Sequence, residues 1–416
     1  MSAEALAERA ALGDELRHWQ SAATALTDLD TVAAPAAWAS LESYLGLSVR
    51  ANLRAVAARI AAQADQVAAV LTAATEQSDL ARVRAAILSL RRGYLRAEAV
   101  IDFFGDAVNT RTSPRIAEIL RGLDVLAVDS MDRGLRPLGI DVPPALTYLG
   151  EGPGASILRA GARLWDASLS PVAAIKITRH NLWRPTSLVH ETGHQFAHLT
   201  GWTAELGEAT YDALAPFSTF AAEAWRRWSS EVAGDVYAFA LLGYAPVAAL
   251  ATVVDGHTRA VFRMPFGDPH PFGWLRVMFN AELARSWFGS PGPWDRLAAV
   301  WMRRHRLDDA PRDVAGIAAA SLPRLPALVD ACTRASMRAF GGVPLSAIID
   351  PKRVAPAELE RLAGRAGPSL YTSQYLQRID PMRILGWIVL RGLTGGQETD
   401  MEGWLRRIGA ERVAAA

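Results

Sequence analysis

In the run His190-Glu191-Thr192-Gly193-His194, two histidines stand four residues apart with a glutamate directly after the first. On a helix such residues lie one above the other on a single face, so both rings can hold one metal ion at about 2.0–2.1 Å. Glu191 leaves the same turn at another angle, where its carboxylate reaches a water beside the ion and can take its proton. The chemistry this spacing predicts is hydrolysis assisted by Zn2+, with Glu191 as general base. A buried helix whose histidines merely hydrogen-bond is the plainer reading, and a glutamate between them argues against it.

A catalytic zinc keeps three protein ligands and one open position. A pattern with a third histidine ten residues after the first, and a glycine between, fails here on Thr200 and Ala197. His198 continues the i, i+4 series but lies about 6 Å further along the axis from His194, and reads as packing or support. Among carboxylates Glu231 leads, because Asp235 follows it by four residues in a stretch that reads as one long helix from Thr219 to Leu242. The two then share a face. Glu231 binds the metal from this second helix while Asp235 accepts a hydrogen bond from the far nitrogen of a ligating histidine and fixes its tautomer. Glu205, Glu208 and Glu223 compete for the role, and a solvated acidic stripe is the other reading of the pair.

His190-Glu191-x-x-His194 followed by Glu231-x-x-x-Asp235 resembles the gluzincin zinc metallopeptidases, in which the two motifs lie on neighbouring helices. The likeness runs from Val172 to Arg276, about a quarter of the chain, and lacks the GxMEN-like segment of the aminopeptidase branch. It implies that His190, His194 and Glu231 bind zinc, that Glu191 is the general base, and that Asp235 supports a zinc histidine. It further implies a peptide or protein substrate whose backbone lies along an edge strand, here Val172–Thr178, by strand addition.

Asp268-Pro269-His270-Pro271, with Arg276 beyond, offers donors for the negative charge that develops on a carbonyl oxygen during hydrolysis. Similar His-Pro segments with a following arginine occur in gluzincin-like peptidases, which places His270 as a catalytic donor and Arg276 in support. A proline-stiffened loop with a surface histidine is the competing reading. Tyr211 and Tyr237 are further possible donors that the sequence does not separate from core tyrosines.

These groups need elements to hold them. Val172–Thr178 is apolar and β-branched enough for a strand, and Arg184-Pro185-Thr186-Ser187 then opens a helix that Gly201 is placed to end. Val236–Val254 carries no charge over a length that would cross a bilayer, but Gly243 and Pro246 interrupt it and Asp235 immediately precedes it. The expectation is the buried end of a site helix, a break at Leu242–Pro246 and a second apolar helix, with no membrane span.

Half of the 416 residues are hydrophobic, so the chain builds a large core. With 44 basic against 43 acidic residues it has no global attraction for nucleic acid. A single cysteine, Cys332, excludes an intrachain disulfide, and charges through residues 1–20 leave no apolar signal segment, so the expected compartment is cytoplasmic. The expected fold is mainly α with a small mixed β-sheet, a zincin-like metallopeptidase core flanked by helical regions. Residues 1–143 read as an N-terminal helical region, 144–310 as the catalytic domain with most of the tryptophans, and 311–416 as a C-terminal helical region. Residues 103–114 read as a functional or capping turn, Gly150–Gly154 as another turn, and Gly395-Gly396 as the entry to a last amphipathic segment. Two rival functions stand: a zinc hydrolase of a non-peptide amide or ester, and a non-catalytic helical interaction protein whose metal site is structural or degenerate.

Overall fold

A computed structural model describes residues 2–152, 154–160, 170, 172–393, 395 and 401–412. Pro153 of the expected Gly150–Gly154 turn and Gly396, at the expected entry to the last amphipathic segment, lie outside this set. The chain is mainly helical with a small three-stranded mixed sheet. It divides into two compact units, Met1–Ala117 with Leu158–Ala174, and Glu118–Ile157 with Ile175–Ala414.

The first unit is helical: α1 (Ala3–Ala25), α2 (Pro35–Leu45), α3 (Val49–Ala73) and α4 (Gln77–Thr110). Apolar residues at helical spacing, among them Leu12, Leu16, Val56, Ile60, Val83 and Leu90, form one buried cluster. The turn expected over residues 103–114 is corrected. Phe103–Asp106 lie inside α4, and the break in helix is confined to Arg111–Ser113 before α5 (Pro114–Leu135). Gly105 is the reason for the misreading: it packs against Val32, where a Cβ would collide, so it serves helix contact rather than a turn.

In the sheet, β1 (Ala145–Leu149), β2 (Ser156–Leu158) and β3 (Ala173–Ile177) pair in the order β1-β3-β2. The strand expected at Val172–Thr178 is present as β3, but it is the central strand. Both of its edges are occupied, so a substrate backbone cannot add to it, and that expectation is corrected. Nothing local in an apolar β-branched run says whether it has one neighbour or two.

After β3 come α6 (Thr186–Thr200), ended by Gly201 at φ 73°, then α7 (Trp202–Leu214), α8 (Thr219–Arg227) and α9 (Ser229–Leu242). The single helix expected from Thr219 to Leu242 is thus two. Trp228, with ψ near 0°, ends α8 and starts α9. From Glu231 to Leu242 every residue of α9 is buried, Glu231 and Asp235 included, and from Val236 onward the helix is apolar on all sides. Gly243 at φ 67° breaks the chain, and α10 (Tyr244–Val254) follows with Pro246 in its first turn, where no backbone donor is needed. A short α11 (Thr258–Val261) and a loop lead to the buried α12 (Gly273–Phe288). Further helices complete the unit. Among them Arg312–Thr333 is long and apolar enough by composition to cross a membrane, but a 3-10 turn at Leu322–Arg324 divides it.

Candidate metal centre

The site forms where α6 and α9 approach closely, and glycines permit the approach. A Cβ on Gly193 would lie 3.0 Å from the Gly234 Cα, and one on Gly234 would lie 2.6 Å from the His190 ring. Both are closer than side chains tolerate, so the imidazole rests on bare backbone of α9. From the other side Tyr237 donates to the carbonyl of Ser130 on α5 (2.5 Å), and Ser130 Oγ lies 2.7 Å from Thr192 Oγ1. The ring of Phe196 stacks on that of Tyr237. Thr192 and Gly193, the two residues of the run that carry no metal or base chemistry, set the spacing of the two helices together with Gly234 and Tyr237.

One ligand atom from each of His190, His194 and Glu231 falls within 4.8 Å of the other two. His190 Nε2 is 3.4 Å from Glu231 Oε2, and His194 Nε2 is 3.4 Å from Glu231 Oε1. Neighbouring ligands of a four-coordinate ion with bonds near 2 Å stand about 3.3 Å apart, so these two separations and the N,N,O donor set would let the cluster hold a metal ion. Asp235 lies behind His190, with Oδ1 3.0 Å from Nδ1. Ser230 Oγ is 3.3 Å from His194 Nδ1. Each histidine therefore has its far nitrogen engaged and its near nitrogen turned to the cluster.

Asp235 is itself held. Arg276 of α12 donates to it twice, from Nε and Nη2 at 2.7 Å each, and Asn280 Nδ2 donates at 3.0 Å while also bonding the Arg276 carbonyl. Arg276 Nη2 also stands 3.3 Å from Glu231 Oε2. At the same oxygen the loop before α12 brings His270 Nε2 to 3.4 Å from Glu231 Oε2. His270 is half exposed, and Asp268 Oδ1 accepts from its backbone N–H (3.0 Å) and faces its Nδ1 (2.6 Å).

These neighbours shift the titrations in opposite directions. Burial pulls the His190 pKa down, but the hydrogen bonds to Asp235 and Glu231 outweigh it and raise it to about 10. Burial, reinforced by the charge on His190, lowers His194 to about 4. Burial alone would raise Glu231, yet His190, His194 and Arg276 together hold it down to about 2. Asp235 is pulled well below the ordinary carboxylate range by Arg276 and His190 against its own burial. Glu191, only 7 % exposed, is pushed up to about 7, mainly by burial. A carboxyl poised near neutrality is what a proton carrier needs.

The remaining candidates are occupied elsewhere. Glu205 pairs with Arg338 and accepts from the Ala339 N–H, while Glu208 and Glu223 both face Arg226. His198 is exposed and lies outside the cluster. Tyr211 lies under the Arg226 guanidinium, and Tyr237 is a fully buried core residue. Sequence reasoning did not single out Asp268, Asn280, Ser230 or Gly234 for a role. Asn280 follows Arg276 by four residues on a helix, a spacing that could have flagged it. No family model, curated protein or solved structure matches this chain.

Proposed function

We propose that this chain is a zinc-dependent hydrolase of peptide bonds, a gluzincin-type metallopeptidase with a zincin-like core. The observation that carries the reading is the convergence of His190, His194 and Glu231 from two helices, with Asp235 behind His190 and a buried Glu191 between the histidines. Zinc held by the three ligands would supply a Lewis acid that polarises the scissile carbonyl and acidifies a water.

The chain's own residues do the rest. Glu191, buried between the two histidines, takes a proton from the attacking water and later delivers it to the leaving amine nitrogen. Asp235 keeps the His190 ring oriented, and Arg276 with Asn280 keeps Asp235 in place. His270, steadied by Asp268, presents Nε2 on the Glu231 side, where an N–H donates to the carbonyl oxygen as charge builds there.

The test is metal analysis of the purified chain joined to cleavage of a peptide library with and without a chelator. The expected result is about one zinc per chain and cleavage that the chelator abolishes. Glu191→Gln should retain zinc and lose cleavage, whereas His194→Ala should lose the metal. Equal zinc in the wild type and His194→Ala would overturn the ligand set. Zinc present with cleavage of ester or non-peptide amide substrates alone would overturn the peptidase reading.

A further inference from the structure

The second unit holds another concave site at the far end of α9, about 15 Å along the helix from Glu231 by its rise per residue. It is a cavity of about 380 Å³, within the range of small-molecule sites. Its apolar wall includes Leu241, Ile349, Val354 and Met382, all nearly removed from water yet facing the cavity. None of its lining residues belongs to the metal cluster.

Four arginines, Arg133, Arg136, Arg353 and Arg383, share the wall with this apolar surface. Among the described residues their ion pairs reach only two carboxylates. Asp132 faces Arg136, and Asp380 faces both Arg353 and Arg383. Asp350, the third carboxylate of the wall, accepts from the Lys352 N–H and so caps its own turn. Arg133 donates to the carbonyls of Arg378 and Ile379 instead of to an acid. Each guanidinium carries five N–H donors, so donors remain on every one of them. The wall thus carries four guanidiniums against three carboxylates, an excess of one positive charge beside apolar side chains, in a space too small for a macromolecule.

We infer that this cavity binds a small amphipathic monoanion, an organic carboxylate whose apolar body lies on Leu241, Ile349, Val354 and Met382 and whose head takes a guanidinium fork. A carboxylate matches that planar fork with two parallel hydrogen bonds, which an alcohol or an amine cannot supply. The site is separate from the metal centre, and its occupant need not be a substrate.

The experiment uses the zinc-loaded full chain and the fluorescence of 8-anilinonaphthalene-1-sulfonate, an amphipathic organic anion, with octanoate, octanol and octylammonium as competitors. The expected result is saturable binding of one dye per chain, displaced by octanoate at a concentration about tenfold or more below that of the other two, as for a charge-assisted hydrogen bond. The double variant Arg133→Gln, Arg353→Gln should weaken octanoate by about tenfold or more at unchanged zinc content. Ile348→Trp, at a half-buried wall position that leaves the ion pairs intact, should abolish dye binding and serves if the arginine variant fails to fold. No saturable binding, equal displacement by octylammonium, or a Trp variant that binds like the wild type would each overturn the inference.

Discussion

Asp235 Oδ1 stands 3.0 Å from His190 Nδ1, on a residue one helical turn after Glu231, whose carboxylate meets the same ring at Nε2. One helix therefore grips both nitrogens of one imidazole. Asp235→Asn keeps the shape but removes the charge that holds the ring and balances Arg276. Zinc affinity should fall by roughly 10–100-fold, the usual effect of losing such a partner. A competition titration against a chelating dye measures it, and unchanged affinity would show that Asp235 serves only to pair Arg276.

Gly234 faces the same ring from the backbone. With a Cβ placed 2.6 Å from the His190 ring, Gly234→Ala must displace the imidazole or part the helices. The expected outcome is loss of stoichiometric zinc together with a destabilisation of about 1–3 kcal/mol, the range for overpacking in a close-packed interior. A control at Gly316, where a Cβ meets nothing within 4 Å, should bind zinc as the wild type does. If both alanine variants bind alike, the close approach of α6 and α9 does not position the ligand.

Much of the candidate site was legible because its signals are local. His190 and His194 lie on one helix by spacing alone, and the run before them forms a strand as its β-branched residues suggest. Glu231 and Asp235 share a face whether or not their helix is long, so the kink at Trp228 left that reading untouched. What stayed hidden depends on partners distant in sequence. The central place of β3 follows from pairing with β1 and β2, and the grip on Asp235 comes from α12, about 40 residues away. Asp268 was in view beside His270, but its 2.6 Å contact depends on the loop's conformation and has no periodic signature.

A pH dependence follows for chelator-treated protein. The His190 pKa is raised from 6.5 to about 10, so its contribution to stability is complete below about pH 6.5 and is lost as pH rises towards 10. Glu191, raised from 4.5 to about 7, acts in the same sense over its lower window, because ionising it in a buried place disfavours the fold. Zinc requires neutral imidazoles, so it binds more tightly over the range in which the metal-free protein weakens. The gap in melting temperature between zinc-loaded and chelator-treated protein should therefore widen from pH 6.5 to 9. A constant gap would mean that His190 is not charged in the metal-free fold.

Removing His270 should separate chemistry from metal binding. His270 is half exposed, sits on a loop, and approaches Glu231 no closer than 3.4 Å, so His270→Ala should leave zinc content and melting temperature nearly unchanged. If its Nε2 stabilises charge on the substrate oxygen, kcat should fall by about 100–1,000-fold while KM moves little, the signature of an interaction made only in the transition state. Asp268→Asn weakens the 2.6 Å contact that orients the ring but leaves the ring in place, and should give a smaller loss of kcat in the same direction. Steady-state kinetics on a peptide cleaved by the wild type measures both. Should His270→Ala raise KM at unchanged kcat, the histidine would be a substrate-binding group, and the charge on the reacting oxygen would be met by the metal and other donors.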